Sequence, residues 1–181
     1  MTSKDLPFIY GIHPVREALR ASTRKCYKIV VEKGKASSRL RDIFSLAEKH
    51  RIRVETLPPS VFQKKYRDIP HQGIIGYFSV KAPVTLDELI EGAKDQAASP
   101  ILVLLDEIQD PQNLGAIIRS AEGFGLQGLI LPRHRSAQLN ETVAKCSAGA
   151  VESLPVATVA NLTQAVEILK TSGYWVAGID P

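Results

Sequence analysis

The sequence predicts an α/β protein in two parts, a small basic α/β module followed by a module built on a mainly parallel sheet. Short apolar runs alternate with stretches of helical apolar spacing along nearly the whole chain, the pattern of strand-helix-strand units. The run ILVLL at 101–105 passes through a polar turn into Leu114, Ile117, Ile118 and Ala121, spaced for one helical stripe. Charge divides the 181 residues as well: 1–80 hold 16 Lys and Arg against 7 Asp and Glu, giving +9, and 81–181 hold 7 against 12, giving −5. With 44% hydrophobic residues the chain can bury a core.

In the first module, residues 1–80, an apolar start at Phe8, Ile9 and Tyr10 leads into a helix with Pro14 near its first turn and Val15, Ala18 and Leu19 facing inward. A strand at 27–31 follows, then a helix over 38–50 with Leu40, Ile43, Phe44 and Ala47 as its stripe and Ser37 or Ser38 as cap. A strand near 53–55, a short helix after Pro58-Pro59 and a strand at 73–80 complete it. Residues 81–99 connect the modules, with Thr85 and Glu88 spaced as the capping box of one short helix.

From residue 100 the reading is strand 101–105, helix 112–124, strand 128–131, helix 138–146, strand 154–157, helix 161–171 and strand 174–179. An unbroken apolar strand such as 101–105 is expected to be covered on both faces. The last strand, YWVAGI, reads as a core strand and stands two residues before Pro181.

Several function classes find no support. No apolar run approaches the roughly 20 residues that span a bilayer, and residues 1–10 lack a signal-peptide core, so the expected location is cytoplasmic. Cys26 and Cys146 are far apart and neither belongs to a C-x-x-C pair, so no disulfide framework or metal site is expected. No catalytic triad or paired-carboxylate pattern appears. The basic first module points to a polyanion, with Arg16, Arg20, Arg24 and Lys25 as either an RNA-contacting or a solvated face, and with His13 and His71 flanking turns.

Three glycine-bearing stretches remain. Gly123, Gly125 and Gly128 spell G-x-G-x-x-G, but they close a helix and precede a strand, the reverse of a dinucleotide fingerprint, so a helix cap and a turn are the better reading. Asn113, Gly115 and Arg119 open the helix at the carboxyl end of strand 101–105, where ligands of parallel sheets gather. There Asn113 lies beside helix N-terminal amides that suit a phosphate or oxyanion. Equally, Asn113 could cap the helix, Gly115 could make room for a neighbouring strand and Arg119 could pair with Glu122. The small residues of KCSAGA, 145–150, suit close backbone packing.

Taken together, DEIQDPQNLGAIIRSAEGFG, KCSAGAVESLPV and NLTQAVEILKTSGYWVAGID resemble the first part of the SpoU (TrmH-type) RNA 2′-O-ribose methyltransferases of the SPOUT superfamily. YGIHPVREAL and HQGIIGYF resemble the substrate-binding domain of the subgroup acting on a guanosine of bacterial 23S ribosomal RNA.

That resemblance implies an L30e/L7Ae-like domain at 1–80, a connecting segment at 81–99 and the N-terminal part of a SPOUT domain at 100–181. It implies an enzyme that, as the full-length protein, methylates a ribose 2′-hydroxyl from S-adenosylmethionine, with residues 1–181 alone expected to be inactive, 23S or transfer RNA as partner and a homodimer formed through the catalytic domain. Asn113 and Arg119 match the family's first motif and are the implied catalytic residues. Arginine holds its proton too tightly to be an ordinary base, so orienting the hydroxyl and stabilising oxyanion character is the role expected of Arg119. His13, Arg16, Arg20, Arg24, His71 and Gln72 are the RNA-binding candidates. The family's later G-x-E-G and Ser-Leu-Asn motifs do not occur here, so no cofactor-binding residue is assigned and the pocket is expected beyond Pro181. A non-catalytic RNA-binding or ribosome-assembly module is the alternative.

Overall fold

The computed structural model describes residues 6–35 and 38–179. The serine cap expected at Ser37 or Ser38 lies outside the described side chains. The first half is a four-stranded mixed sheet of β1 (Phe8–Tyr10), β2 (Cys26–Glu32), β3 (Val54–Leu57) and β4 (Ile74–Phe78), in the order β1-β4-β2-β3. Between β2 and β3 the pairing is parallel, and β4 runs antiparallel to both β1 and β2. Helices α1 (Ile12–Ala21) and α2 (Arg41–Lys49) pack their apolar stripes, Val15, Ala18, Leu19, Ile43 and Ala47, into the same core as Ile29 and Ile74. Helix α3 (Pro59–Lys65) buries Phe62 with Val30 and Ile75, beneath a hydrogen bond of 2.9 Å between the hydroxyls of Tyr66 and Tyr77.

Helix α4 (Leu86–Gln96) opens on the capping box legible in the sequence: Thr85 Oγ1 accepts from Glu88 N at 3.2 Å, and Glu88 Oε2 accepts from Thr85 N at 2.7 Å. These backbone and hydroxyl bonds hold the Glu88 carboxyl below its usual range. The segment is more than a connector, because Leu89 and Ile90 are buried with Ile130 and Ala157 of the second sheet.

That sheet is parallel and three-stranded among the described residues, ordered β5 (Leu102–Leu104), β6 (Gly128–Pro132), β7 (Val156–Val159). Two strand expectations need correction. β5 is half-buried rather than covered on both faces, because it pairs only with β6, and β6 is the buried central strand. Residues 174–179 form no strand: they pass beside β5, bounding with it a groove of about 670 Å³, and make no ladder with it. Trp175 and Ile179 are fully exposed, so ordering this segment as a strand gains no burial on its outer side to offset the entropy lost.

Helices α5 (Pro111–Gly123), α6 (Glu141–Cys146) and α7 (Leu162–Thr171) complete the second half. The end of α5 explains the glycine pattern. Gly125, at φ +71°, takes the left-handed step, Gly125 N donates to Glu122 O and Leu126 N to Ala121 O, each at 2.9 Å, forming a Schellman cap. Among the described residues no helix is long and apolar enough to cross a membrane.

The halves share one apolar core, in which Ile9, Val15 and Ile74 belong with Leu114, Ile118 and Val143. A buried ion pair crosses the same junction. Arg24 donates from Nε to Glu152 Oε2 at 2.9 Å and from Nη2 to Oε1 at 2.6 Å, with side chains 5% and 0% exposed. Beside it Lys81 Nζ donates to the carbonyls of Val151, Glu152 and Leu154.

Candidate functional site

Two places gather the residues singled out in the sequence. One is the head and outer face of α5. Asp110 caps this helix, its carboxylate accepting from Gln112 N and Asn113 N at 3.2 Å each, and Pro111 occupies the first turn, where a missing N–H costs nothing. Asn113 is therefore not the cap, and its exposed side chain remains available at the helix start.

Arg119 is exposed too, and no ion pair or hydrogen bond holds its guanidinium among the described residues, the suggested pairing with Glu122 included. Six helical residues separate the two side chains by roughly 9 Å along the axis and about 120° around it. They can touch neighbouring groups of one extended ligand but not the same atom of a small one.

Gly115 has a different role from the polar residues around it. It is buried against α6, and a Cβ there would stand 2.5 Å from Cβ of Cys146 and 3.1 Å from the amide nitrogen of Ser147. The close neighbour is thus a helix, not a strand, and the small residues of 145–150 are what it approaches.

The other place is a cleft of about 710 Å³ in the first half, where α1, the end of β2 and the turn before β4 converge. His13, Arg16, His71 and Gln72 all line it. Arg16 Nη2 lies 2.9 Å from His13 Nδ1, Gln72 Oε1 accepts from Ile12 N at 3.0 Å, and Gly73 N donates to His71 Nδ1 at 2.9 Å. Burial pushes the pKa of His71 down, which favours the neutral ring with its remaining proton on Nε2.

The other two basic candidates lie elsewhere. Arg20 is half-exposed and faces Glu17 and Asp42 at 3.4 and 3.5 Å. Arg24 is buried against Glu152, so its charge is spent on the junction between the halves and is not presented to a ligand.

Glu32, Lys35 and Arg39 also line the cleft and were not singled out in the sequence. The available signal was Glu32 itself, a charged residue ending the apolar strand IVV and followed by Lys33-Gly34.

Both places fall in stretches with known relatives. Residues 100–181 match the SpoU rRNA methylase family, and residues 8–83 match the substrate-binding region of RNA 2′-O-ribose methyltransferases. A protein of Staphylococcus haemolyticus named as a TrmH family tRNA/rRNA methyltransferase is 37% identical over 172 residues, 95% of this chain and 68% of the relative. The chain belongs to the SpoU/TrmH family.

Another SpoU/TrmH relative, from Bacillus subtilis, is 34% identical over 98% of this chain and 71% of its own length. The fold agrees with that of the SpoU methyltransferase AviRb of Streptomyces viridochromogenes at a TM-score of 0.70 and 19% identity, over 92% of this chain. It also agrees with that of an AdoMet-bound rRNA methyltransferase of Sinorhizobium meliloti, at 0.68 and 20%, over 91%. This SpoU/TrmH chain spans 58% of each of those two structures, and at such identities the likeness is one of fold.

The methyl donor of such enzymes needs an adenine surface and partners for a charged methionine end. Along the outer edge of β5 the groove supplies apolar walls, from Leu102 to Leu105 and from Trp175 to Ile179, with Asp106 as its only charged side chain among the described residues. It holds no cation for the methionine carboxylate, so the described residues do not by themselves fit the donor.

Proposed function

We propose that this chain serves an S-adenosylmethionine-dependent transfer of methyl to a ribose 2′-hydroxyl of RNA, with a guanosine of 23S ribosomal RNA as target ahead of transfer RNA. The observation that carries this reading is Arg119: an exposed arginine without an ion-pair partner among the described residues, held on α5 in the stretch that matches the SpoU methylases.

In this reading Arg119 donates hydrogen bonds to the 2′-hydroxyl and a neighbouring phosphate, favouring oxyanion character at the attacking oxygen. Asn113, beside the first amides of α5, positions the next polar group along the backbone. The division into a substrate-binding part at 1–80, a connector at 81–99 and a methylase part from 100 follows the same assignment. His13, Arg16, His71 and Gln72 receive RNA in the cleft. A homodimer formed through the second half, acting in the cytoplasm, completes the reading; the exposed Phe124 at the end of α5 supports such a contact.

The test is transfer of labelled methyl from S-adenosylmethionine to ribosomal and transfer RNA by the full-length protein, followed by mapping of the modified ribose. Methylation at a base, or none on either RNA, sinks the proposal. A non-catalytic RNA-binding module is the second reading, carried by the basic cleft of the first half, which needs no methyl donor to hold RNA. RNA binding with no transfer would select it.

A further inference from the structure

The cleft in the first half holds one group that RNA electrostatics alone does not explain. The Glu32 residue is 5% exposed and lines the cleft. Its Oε1 accepts from Gln63 Nε2 at 3.2 Å, whereas its Oε2 is buried with no hydrogen-bond partner among the described residues. A buried carboxylate oxygen left unpaired carries a desolvation cost that a ligand donor would relieve.

Neighbouring side chains do not relieve it. The Lys35 stem lies over Gly73, with Cγ 3.0 Å from where a Cβ would stand. Neither Lys35 nor any other cation forms an ion pair with Glu32 among the described residues.

The chemistry of the walls narrows the ligand. Arg16, Lys35 and Arg39 line the same space with one further carboxylate, Asp42, which already faces Arg20 at 3.5 Å, so a metal ion at Oε2 would meet three cationic side chains. A neutral donor attached to an anionic chain meets no such conflict: its N–H groups face Oε2 and its phosphates face the cations. Nucleobases in single-stranded RNA have that form, and bases splayed out of a stack are the usual object of sequence-specific RNA readout.

A carboxylate also discriminates among them. The amino groups of guanine, adenine and cytosine donate to it, with N1–H and the amino group side by side in guanine. In uracil the single N3–H is flanked by two carbonyl oxygens that an anion repels. We propose that Glu32 is a specificity-determining residue that receives the amino-bearing edge of an unstacked RNA base in this cleft, rejecting uracil.

This rests on the reading of the first half as the RNA-binding part, and the experiment separates the two. Fluorescein-labelled nonameric uridine tracts, with the central base left as uracil or replaced by guanine, adenine or cytosine, are titrated with the protein and with Glu32→Gln. The protein is expected to bind the guanine tract about tenfold more tightly than the all-uracil tract, the scale of one good polar base contact.

Glu32→Gln is nearly isosteric. With the amide oxygen toward Gln63 it turns an NH2 group into the cleft, so the preference is expected to vanish or invert toward uracil. Arg39→Ala is expected to weaken all four tracts alike, because phosphate contacts carry no base information. Equal binding of all four tracts by the unaltered protein, or an undiminished preference in Glu32→Gln, overturns the assignment while leaving RNA binding in place. Binding of none of them overturns the RNA-binding reading with it.

Discussion

Arg24 and Glu152, 128 residues apart in sequence, form a two-toothed ion pair in the buried junction between the halves. Burial pushes the Glu152 pKa up, while Arg24 and then Lys81 pull it back down. The carboxylate therefore depends on its cationic neighbours to stay charged. Removing Arg24 alone strands it: Arg24→Met should lower unfolding free energy by about 3–5 kcal/mol, the usual cost of an orphaned buried charge. The double variant Arg24→Met/Glu152→Leu should regain most of that loss. Chemical denaturation of the three proteins measures both, and an additive double variant would show that the two residues do not act as a pair.

Lys81 gives the junction a pH signature. Burial is the main cause that lowers its pKa from 10.5 to about 8, against an upward pull from Glu152. Between those values the unfolded chain holds a proton that the folded chain has released, so stability should rise with pH from about 8 to 10.5, with the penalty fully present below 8. Denaturation midpoints across that window should climb in the unaltered protein relative to Lys81→Met, which lacks the titrating amine. Parallel profiles would rule Lys81 out as the source.

Gly115 and Gly92 should respond in opposite directions. A Cβ at Gly115 meets α6 at Cys146, so Gly115→Val should cost about 1–3 kcal/mol through overpacking. Gly92 lies within α4 with nothing within 4 Å of its would-be Cβ, so Gly92→Ala should stabilise by about 0.5–1 kcal/mol through backbone entropy. Thermal unfolding of both variants reads the contrast directly.

In the proposed reaction, Arg119 should separate chemistry from binding in the full-length protein. Arg119→Ala should reduce methyl transfer at least about a hundredfold, the loss typical of a donor that stabilises developing charge. Its affinity for RNA should change little, because the guanidinium is one cation apart from the basic cleft. Arg119→Lys should recover little, since an ammonium cannot reach hydroxyl and phosphate with one planar fork. Turnover of Arg119→Ala equal to that of the unaltered protein would remove it from the reaction.

Local signals in the chain were good guides to the fold. Thr85 and Glu88 marked the start of α4, Pro58-Pro59 the start of α3, and the placement of Gly123 and Gly125 excluded a nucleotide loop in favour of a cap, because each acts through its own neighbours in sequence. What depends on distant partners was not legible. Gly115 shares a helix with exposed Asn113 and Arg119, and only the approach of α6 shows that it is buried. Arg24 resembles the other arginines of a basic surface until Glu152 arrives from the other half. For YWVAGI, apolar content predicted a strand, but a strand also needs a ladder, which β5 does not make with it. At the candidate sites, Asn113 and Arg119 were singled out by their place after strand 101–105 and then by motif resemblance, and His13 and His71 by their turns, whereas Glu32 needed the cleft to be seen around it.

The full exposure of Trp175 beside β5 gives the chain a built-in optical reporter. It is the single tryptophan of the sequence, so emission excited selectively at the indole comes from one known place. In the structure described here that light should have the long-wavelength maximum of a hydrated indole. Any segment, subunit or RNA that covers the β5 edge would shift it toward the blue, and contacts confined to the basic cleft would leave it unchanged. Binding to the two halves can then be followed separately in one cuvette, without a label on the protein.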